Sequence, residues 1–179
     1  NTIESYSKFL IECLESYDFN KLSLCGHSMG GLIALEMAMQ KNFSVQSIIL
    51  VNSIYPTRVA EPLLAKAKAS NGGAADFIIK YGLYKRLLGI KNAFSEEDDL
   101  VMLDDLEACN SYQLDLNAIK DLEIPISIIL GSKDKLVDLK AVESFANTVP
   151  CKTHTVEEAG HFLFFEQPNE LSKLIAQLA

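Results

Sequence analysis

The sequence predicts an α/β fold in which a parallel sheet carries helices on both faces. Two observations predict it: three short apolar runs of strand length with a fourth strand candidate after them, and helix-period segments that alternate with them along the chain. At 179 residues the chain is about the size of one domain, long enough to bury a core without disulfide or metal staples. Its hydrophobic share of 49% and charged share of 22% are those of an ordinary globular protein rather than a disordered one.

Residues Asn1–Tyr17 read as an amphipathic helix, because Ile3, Tyr6, Leu10, Cys13, Leu14 and Tyr17 fall on one side at helical spacing. Asn1 is placed to cap it, with Glu4 in capping-box position. The chain thus opens on Asn rather than Met, almost at a helix boundary, as a cut or processed chain would. Lys21–Cys25 is a short apolar run that fits a buried strand, Gly26–Gly31 a glycine-rich turn, and Leu32–Gln40 a helix rich in Ala, Leu and Met. Ser47–Val51, dense in β-branched residues, is the second strand.

Between Tyr55 and Asp121 the alternation stops. Three or so helices are expected there, broken at Asn71-Gly72-Gly73 and near Gly89–Ser95, with Ser95 followed by acids in N-cap style. The stretch reads as a helical insertion over one end of the sheet. Ile126–Leu130, set up by Pro125 and closed by Gly131, is the third strand. Leu139–Thr148 follows as a helix with Asp138 at its N-cap. Lys152–Val156 is the last strand candidate and Pro168–Leu178 the last helix, with Pro168 in its first turn. The organisation expected is a core over 1–54, a helical cap over 55–121 and a second core segment over 122–179.

A net charge of −8, from 24 acids against 16 bases, repels phosphates and anionic lipid, so neither nucleic acid nor a membrane surface is expected as a partner. The acids gather at Glu96, Glu97, Asp98, Asp99, Asp104 and Asp105, which read as the solvated face of a helix. No apolar run reaches spanning length and no secretory leader is visible. Cys13, Cys25, Cys109 and Cys151 form no CxxC pair and have no metal-ligand spacing, which suggests reduced thiols in the cytoplasm. Cys25 is expected to be a small buried side chain. No metal site and no phosphate-cradling loop is found, so neither a metal nor a cofactor is implied.

Chemistry enters at Gly26-His27-Ser28-Met29-Gly30, a G-x-S-x-G placed after a strand and opening a helix. A sharp, strained turn of that kind holds a serine hydroxyl above the end of a sheet. Gly26 and Gly30 are expected to remove Cβ atoms that would clash there. The backbone N–H of Met29 would face a developing oxyanion. A serine needs a neighbouring base, and there are three histidines. The side chain of His27 would diverge from that of Ser28, leaving it to pack or orient the turn. His154 falls inside a strand and reads as a satisfied core or edge residue. His161 lies in the loop after the last strand, at the carboxyl end where groups of open α/β sheets gather, and is the candidate base. Asp134, in the loop after the third strand, is the candidate acid that fixes the tautomer of His161, ahead of Asp138, which has a capping role of its own.

The segments Gly-His-Ser-Met-Gly-Gly (26–31), Gly-Ser-Lys-Asp-Lys-Leu-Val (131–137) and Ala-Gly-His-Phe-Leu-Phe-Phe-Glu-Gln-Pro (159–168) resemble those of the α/β-hydrolase superfamily, in its order Ser, Asp, His. The resemblance implies the α/β-hydrolase fold, with this chain supplying the C-terminal strands 5–8 of the family core and a cap at the helical insertion. It also implies that the N-terminal half of the sheet, with the loop that donates the second oxyanion N–H, belongs to another part of the gene product or to a companion chain. The activity implied is that of a serine hydrolase cleaving a carboxylic ester or thioester through an acyl-enzyme on Ser28. Phe77, Ile78, Ile79, Tyr81, Leu83, Tyr84, Leu87 and Leu88 would line its acyl pocket or pack the cap onto the sheet. C–C bond hydrolysis, acyl transfer and a non-catalytic ligand-binding module or inactive fragment remain alternative readings.

Overall fold

The computed structural model describes residues 1–19, 21–85 and 98–179. The chain begins with helix α1 (Ile3–Leu14), strand β1 (Leu22–His27), helix α2 (Met29–Gln40) and strand β2 (Val45–Val51). Four helices follow: α3 (Glu61–Ala69), α4 (Gly73–Gly82), α5 (Asp98–Ser111) and α6 (Leu116–Lys120). Strand β3 (Ile126–Gly131), helix α7 (Leu139–Thr148), strand β4 (Cys151–Val156) and helices α8 (Leu163–Glu166) and α9 (Pro168–Leu178) complete the order.

The cap of α1 is Thr2 and not Asn1. Thr2 and Ser5 form the reciprocal box, with Thr2 N donating to Ser5 Oγ at 2.9 Å and Ser5 N to Thr2 Oγ1 at 3.1 Å. Starting the helix there turns Ile3 and Ile11 fully inward. Helix α2 begins three residues before the expected Leu32, directly at the turn that follows β1. Helices α6 and α8, with 5 and 4 residues, are too short to show a period in the sequence.

The four strands run parallel in the order β1-β2-β3-β4. Their register aligns His27 with Val51, Val51 with Ile129 and Ile129 with His154, so the carboxyl ends of all four open on one side. The period of two along the strands divides the core. Ile48, Leu50, Ile128 and Leu130 pack with Ile3, Leu32, Leu35 and Phe145 on one face, under α1, α2 and α7. Ile49, Val51 and Ile129 pack with Leu163 and Leu171 on the other, under α8 and α9. Both faces are thereby covered, as the near-continuous apolar strands require.

Two strand residues depart from expectation. Cys25 is exposed, on a strand that stands at one end of the strand order. His154, expected to be satisfied, has a buried Nε2 with no hydrogen-bond partner among the described residues.

The helices between β2 and β3 carry a small core of their own, Leu63, Ala67 and Ala74 with Phe77, Met102 and Leu106 around them. The break expected at 71–73 is present: Ser70 and Gly72 both adopt left-handed backbone, at φ 45° and 74°. Two tyrosines fasten this segment to the rest, and a third ties its beginning to its end. Tyr6 Oη donates to Asp105 at 2.6 Å, Tyr112 Oη to Glu36 at 2.8 Å, and Tyr55 Oη accepts from Leu114 N at 2.9 Å. Asp105 is therefore a tether and not part of a purely solvated face, and its carboxylate pushes the Tyr6 hydroxyl up to about 12. Leu87, Leu88, the break near Gly89–Ser95 with its Ser95 cap, and Glu96 and Glu97 lie outside the described residues. None of the described helices is long and apolar enough to cross a membrane.

Candidate active site

Ser28 sits between β1 and α2 with φ 52° and ψ −121°, a conformation that L-residues rarely adopt. Such strain costs on the order of 1–3 kcal/mol and persists only where the surroundings enforce it. Here the turn is pinned by Ser28 N donating to Val51 O and Gly31 N donating to Ser28 O, both at 3.0 Å. A Cβ on Gly26 would overlap Gly30 O and lie 2.5 Å from Gly31 N, so the turn closes only on glycine. A Cβ on Gly30 would meet nothing within 4 Å, whereas one on Gly31 would overlap the Ser53 hydroxyl and lie 2.6 Å from its Cβ. The close packing thus demands glycine at 26 and 31 and not, as expected from the motif, at 30. Met29 is the first residue of α2, where a backbone N–H has no intrahelical acceptor.

His161 is buried in the loop between β4 and α8. Its Nδ1 lies 2.8 Å from Asp134 Oδ2, and both side chains are almost fully covered, at 7% and 4% exposure. The other carboxylate oxygen of Asp134 accepts from Leu136 N at 2.7 Å and Val137 N at 3.2 Å. The carboxylate is thus locked by its own loop before it meets the imidazole. Asp138 instead caps α7 by accepting from Lys140 N at 2.9 Å. With Asp134 accepting at Nδ1, the proton of a neutral His161 sits on that nitrogen and Nε2 carries the lone pair.

His27 orients the loop of His161 rather than its own turn. Its Nε2 donates to the His161 carbonyl at 2.7 Å, and the two rings lie 4.8 Å apart. Burial, and then the nearby His161, lower the His27 pKa to about 4. It is therefore neutral at pH 7, as a donor packed against a second imidazole must be.

Two residues here were not anticipated. Asn52 is fully buried at φ 43°. Its Nδ2 donates to Gly160 O at 3.0 Å and His161 O at 2.7 Å, while its Oδ1 accepts from Gly131 N at 2.8 Å. One side chain thus joins the ends of β2 and β3 to the His161 loop. Its only sequence signal is a lone amide ending an apolar strand. Glu166 accepts from Gly160 N at 2.7 Å, Tyr84 N at 2.7 Å and Lys85 N at 2.8 Å. With His161 N donating to Gly82 O at 2.6 Å, it anchors the same loop on the end of α4.

Ser28 and His161 open into one cavity of about 360 Å³. Of the apolar residues expected along it, Phe77, Ile78 and Tyr81 line it; Ile79, Leu83 and Tyr84 do not. The remaining wall comes from the segment after β2, from Leu106, from the Asp134 loop and from Phe162.

Residues 4–174 match the family model described as the alpha/beta hydrolase family. The 3-oxoadipate enol-lactonase 1 of Acinetobacter baylyi is 24% identical over 98% of this chain and 70% of its own length. The pimeloyl-[acyl-carrier protein] methyl ester esterase of Aromatoleum aromaticum is 24% identical over 97% of this chain and 78% of its own length. Among solved structures, a thermophilic esterase superposes with a TM-score of 0.83 at 20% identity, over 99% of this chain and 72% of its own. The enol-lactonase from Burkholderia xenovorans superposes with a TM-score of 0.80 at 18% identity, over 99% and 73%.

Proposed function

The chain belongs to the alpha/beta hydrolase family, and from that premise we propose that it hydrolyses carboxylic esters or thioesters through an acyl-enzyme on Ser28. The observation that carries this reading is the 2.8 Å contact between buried His161 and Asp134 beside a strained Ser28 in the same cavity. Asp134 holds the Nδ1 proton, so His161 Nε2 is free to take the hydroxyl proton of Ser28 as the oxygen attacks the carbonyl carbon. The tetrahedral oxyanion is stabilised by the Met29 N–H at the start of α2. His161 then returns the proton to the leaving alcohol or thiol, activates a water, and the acid is released with Ser28 restored. The names of two relatives, an enol-lactonase and a methyl ester esterase, denote cleavage of the same kind of bond.

We assign the helices between β2 and β3 as a cap over the site, since α3, α4 and α5 contribute Leu63, Phe77, Tyr81 and Leu106 to the cavity wall. The open flank of β1 is assigned to a pairing segment that would supply a second oxyanion donor. Unpaired cysteines, two of them exposed, favour a reducing compartment. A fluorophosphonate probe tests the chemistry by intact mass. One adduct is expected, absent in Ser28→Ala and slower to form in His161→Gln. An unlabelled wild type, or an adduct that survives Ser28→Ala, refutes the assignment.

A further inference from the structure

Two side chains of the cavity wall have no part in the chemistry above. Ser53 follows Asn52 at the end of β2; it is 4% exposed, lines the cavity, and its Oγ has no hydrogen-bond partner among the described residues. A buried hydroxyl with nothing to bond to costs stability, and the close approach of the Ser53 Oγ and Cβ to Gly31 at the start of α2 supplies it no polar partner. Arg58 lies five residues further along the same segment and also lines the cavity. No ion pair involves it among the described residues. Lys135 and Asp138 are the other charged side chains of the wall, which therefore carries two cations against one carboxylate. Arg58 is thus an exposed, permanently charged fork without an ion-pair partner among the described residues, on the wall of a largely apolar cavity in a protein whose net charge is −8. A planar guanidinium in that setting matches a carboxylate in shape and charge.

We propose that the cavity takes esters whose acyl chain ends in a second carboxylate, the half-esters of dicarboxylic acids, and that Ser53 and Arg58 read them. The terminal carboxylate pairs with Arg58. The Ser53 hydroxyl, at the buried end, donates to a substrate oxygen nearer the scissile bond. The methylenes between lie against Ile54, Leu63 and Phe77. This rests on Ser28 as the nucleophile, so its test carries a reading that does not depend on turnover.

The test compares 4-nitrophenyl hydrogen glutarate with the neutral 4-nitrophenyl pentanoate at low salt, and measures glutarate binding by calorimetry. The wild type prefers the anionic ester. Arg58→Gln lowers the ratio of the two kcat/KM values about tenfold, mainly through KM, while Arg58→Lys keeps part of it and the distant Lys8→Gln keeps all of it. Ser53→Ala lowers kcat/KM for the glutarate ester yet leaves the Tm unchanged or higher, because only an unpartnered hydroxyl is removed. A merely structural Ser53 would lower the Tm. A wild type that favours the neutral ester, an Arg58→Gln that slows both esters alike, or glutarate binding that is absent or insensitive to Arg58→Gln overturns the proposal. Glutarate binding lost in Arg58→Gln, with neither ester hydrolysed, would refute the nucleophile and leave the carboxylate site standing.

Discussion

Removing the Asn52 side chain is expected to destabilise the fold more than any other single truncation at the ends of the strands. In Asn52→Ala the Gly131 N–H and the Gly160 carbonyl lose their partners at 2.8 and 3.0 Å. The His161 carbonyl keeps the bond from His27 at 2.7 Å. Each buried backbone group left unpaired costs about 1–3 kcal/mol. The backbone adds its own cost, because φ is 43° and alanine in left-handed backbone is worse by about 1–2 kcal/mol. The expected loss is therefore about 3–8 kcal/mol, against a total stability of about 5–15 kcal/mol for a domain. Urea unfolding reads it as a fall in midpoint at constant slope. Asn52→Gly separates the two causes, since glycine accepts the backbone angle freely and should recover only about 1–2 kcal/mol. Because His27 still holds the loop, the folded fraction of Asn52→Ala should retain the contact between His161 and Asp134 and a reduced rate. A loss below about 1 kcal/mol for Asn52→Ala would refute the role assigned to its three hydrogen bonds.

Two further outcomes follow from the same geometry. Gly30→Ala is expected to be neutral or to gain up to about 1 kcal/mol from helix propensity, whereas Gly31→Ala forces a methyl into Ser53 and should lower the Tm sharply; equal melting of the two variants contradicts the packing described. The His27 pKa falls from 6.5 to about 4 on folding, so between those values the unfolded chain binds a proton that the folded chain refuses, and stability drops as pH falls through that window by up to about 3 kcal/mol. His27→Gln, which keeps an N–H for the His161 carbonyl, should flatten that part of the stability–pH curve, and an unchanged slope would show that the proton uptake lies elsewhere.

What could be read from the chain divides by the range of the interaction involved. Helices α7 and α9 begin and end as expected, at Leu139–Thr148 and Pro168–Leu178, because Asp138 and Pro168 mark their starts locally. Helix α2 begins three residues before the expected Leu32, through Gly30 and Gly31, which are poor helix formers; the helix forms there because packing against Ser53 and the close approach to Gly26 outweigh propensity. Ser28, Asp134 and His161 were legible because each stands just beyond a strand-like run, and a parallel register brings the carboxyl ends of such runs together. By that logic the residue after β2 belongs to the same cluster, yet nothing about Asn52 in isolation distinguishes an amide that ends a strand from one that joins three loops. Its partners Gly131, Gly160 and His161 stand 79, 108 and 109 residues away. Parallel strands need crossovers of that kind, and their ends leave backbone groups facing one another with no ladder to satisfy them. A side chain with both donor and acceptor, tolerant of left-handed backbone, answers that need at β2, and asparagine is the residue that offers all three properties. His161 and Asp134 are thus held in place by an amide whose hydrogen bonds all go to backbone groups.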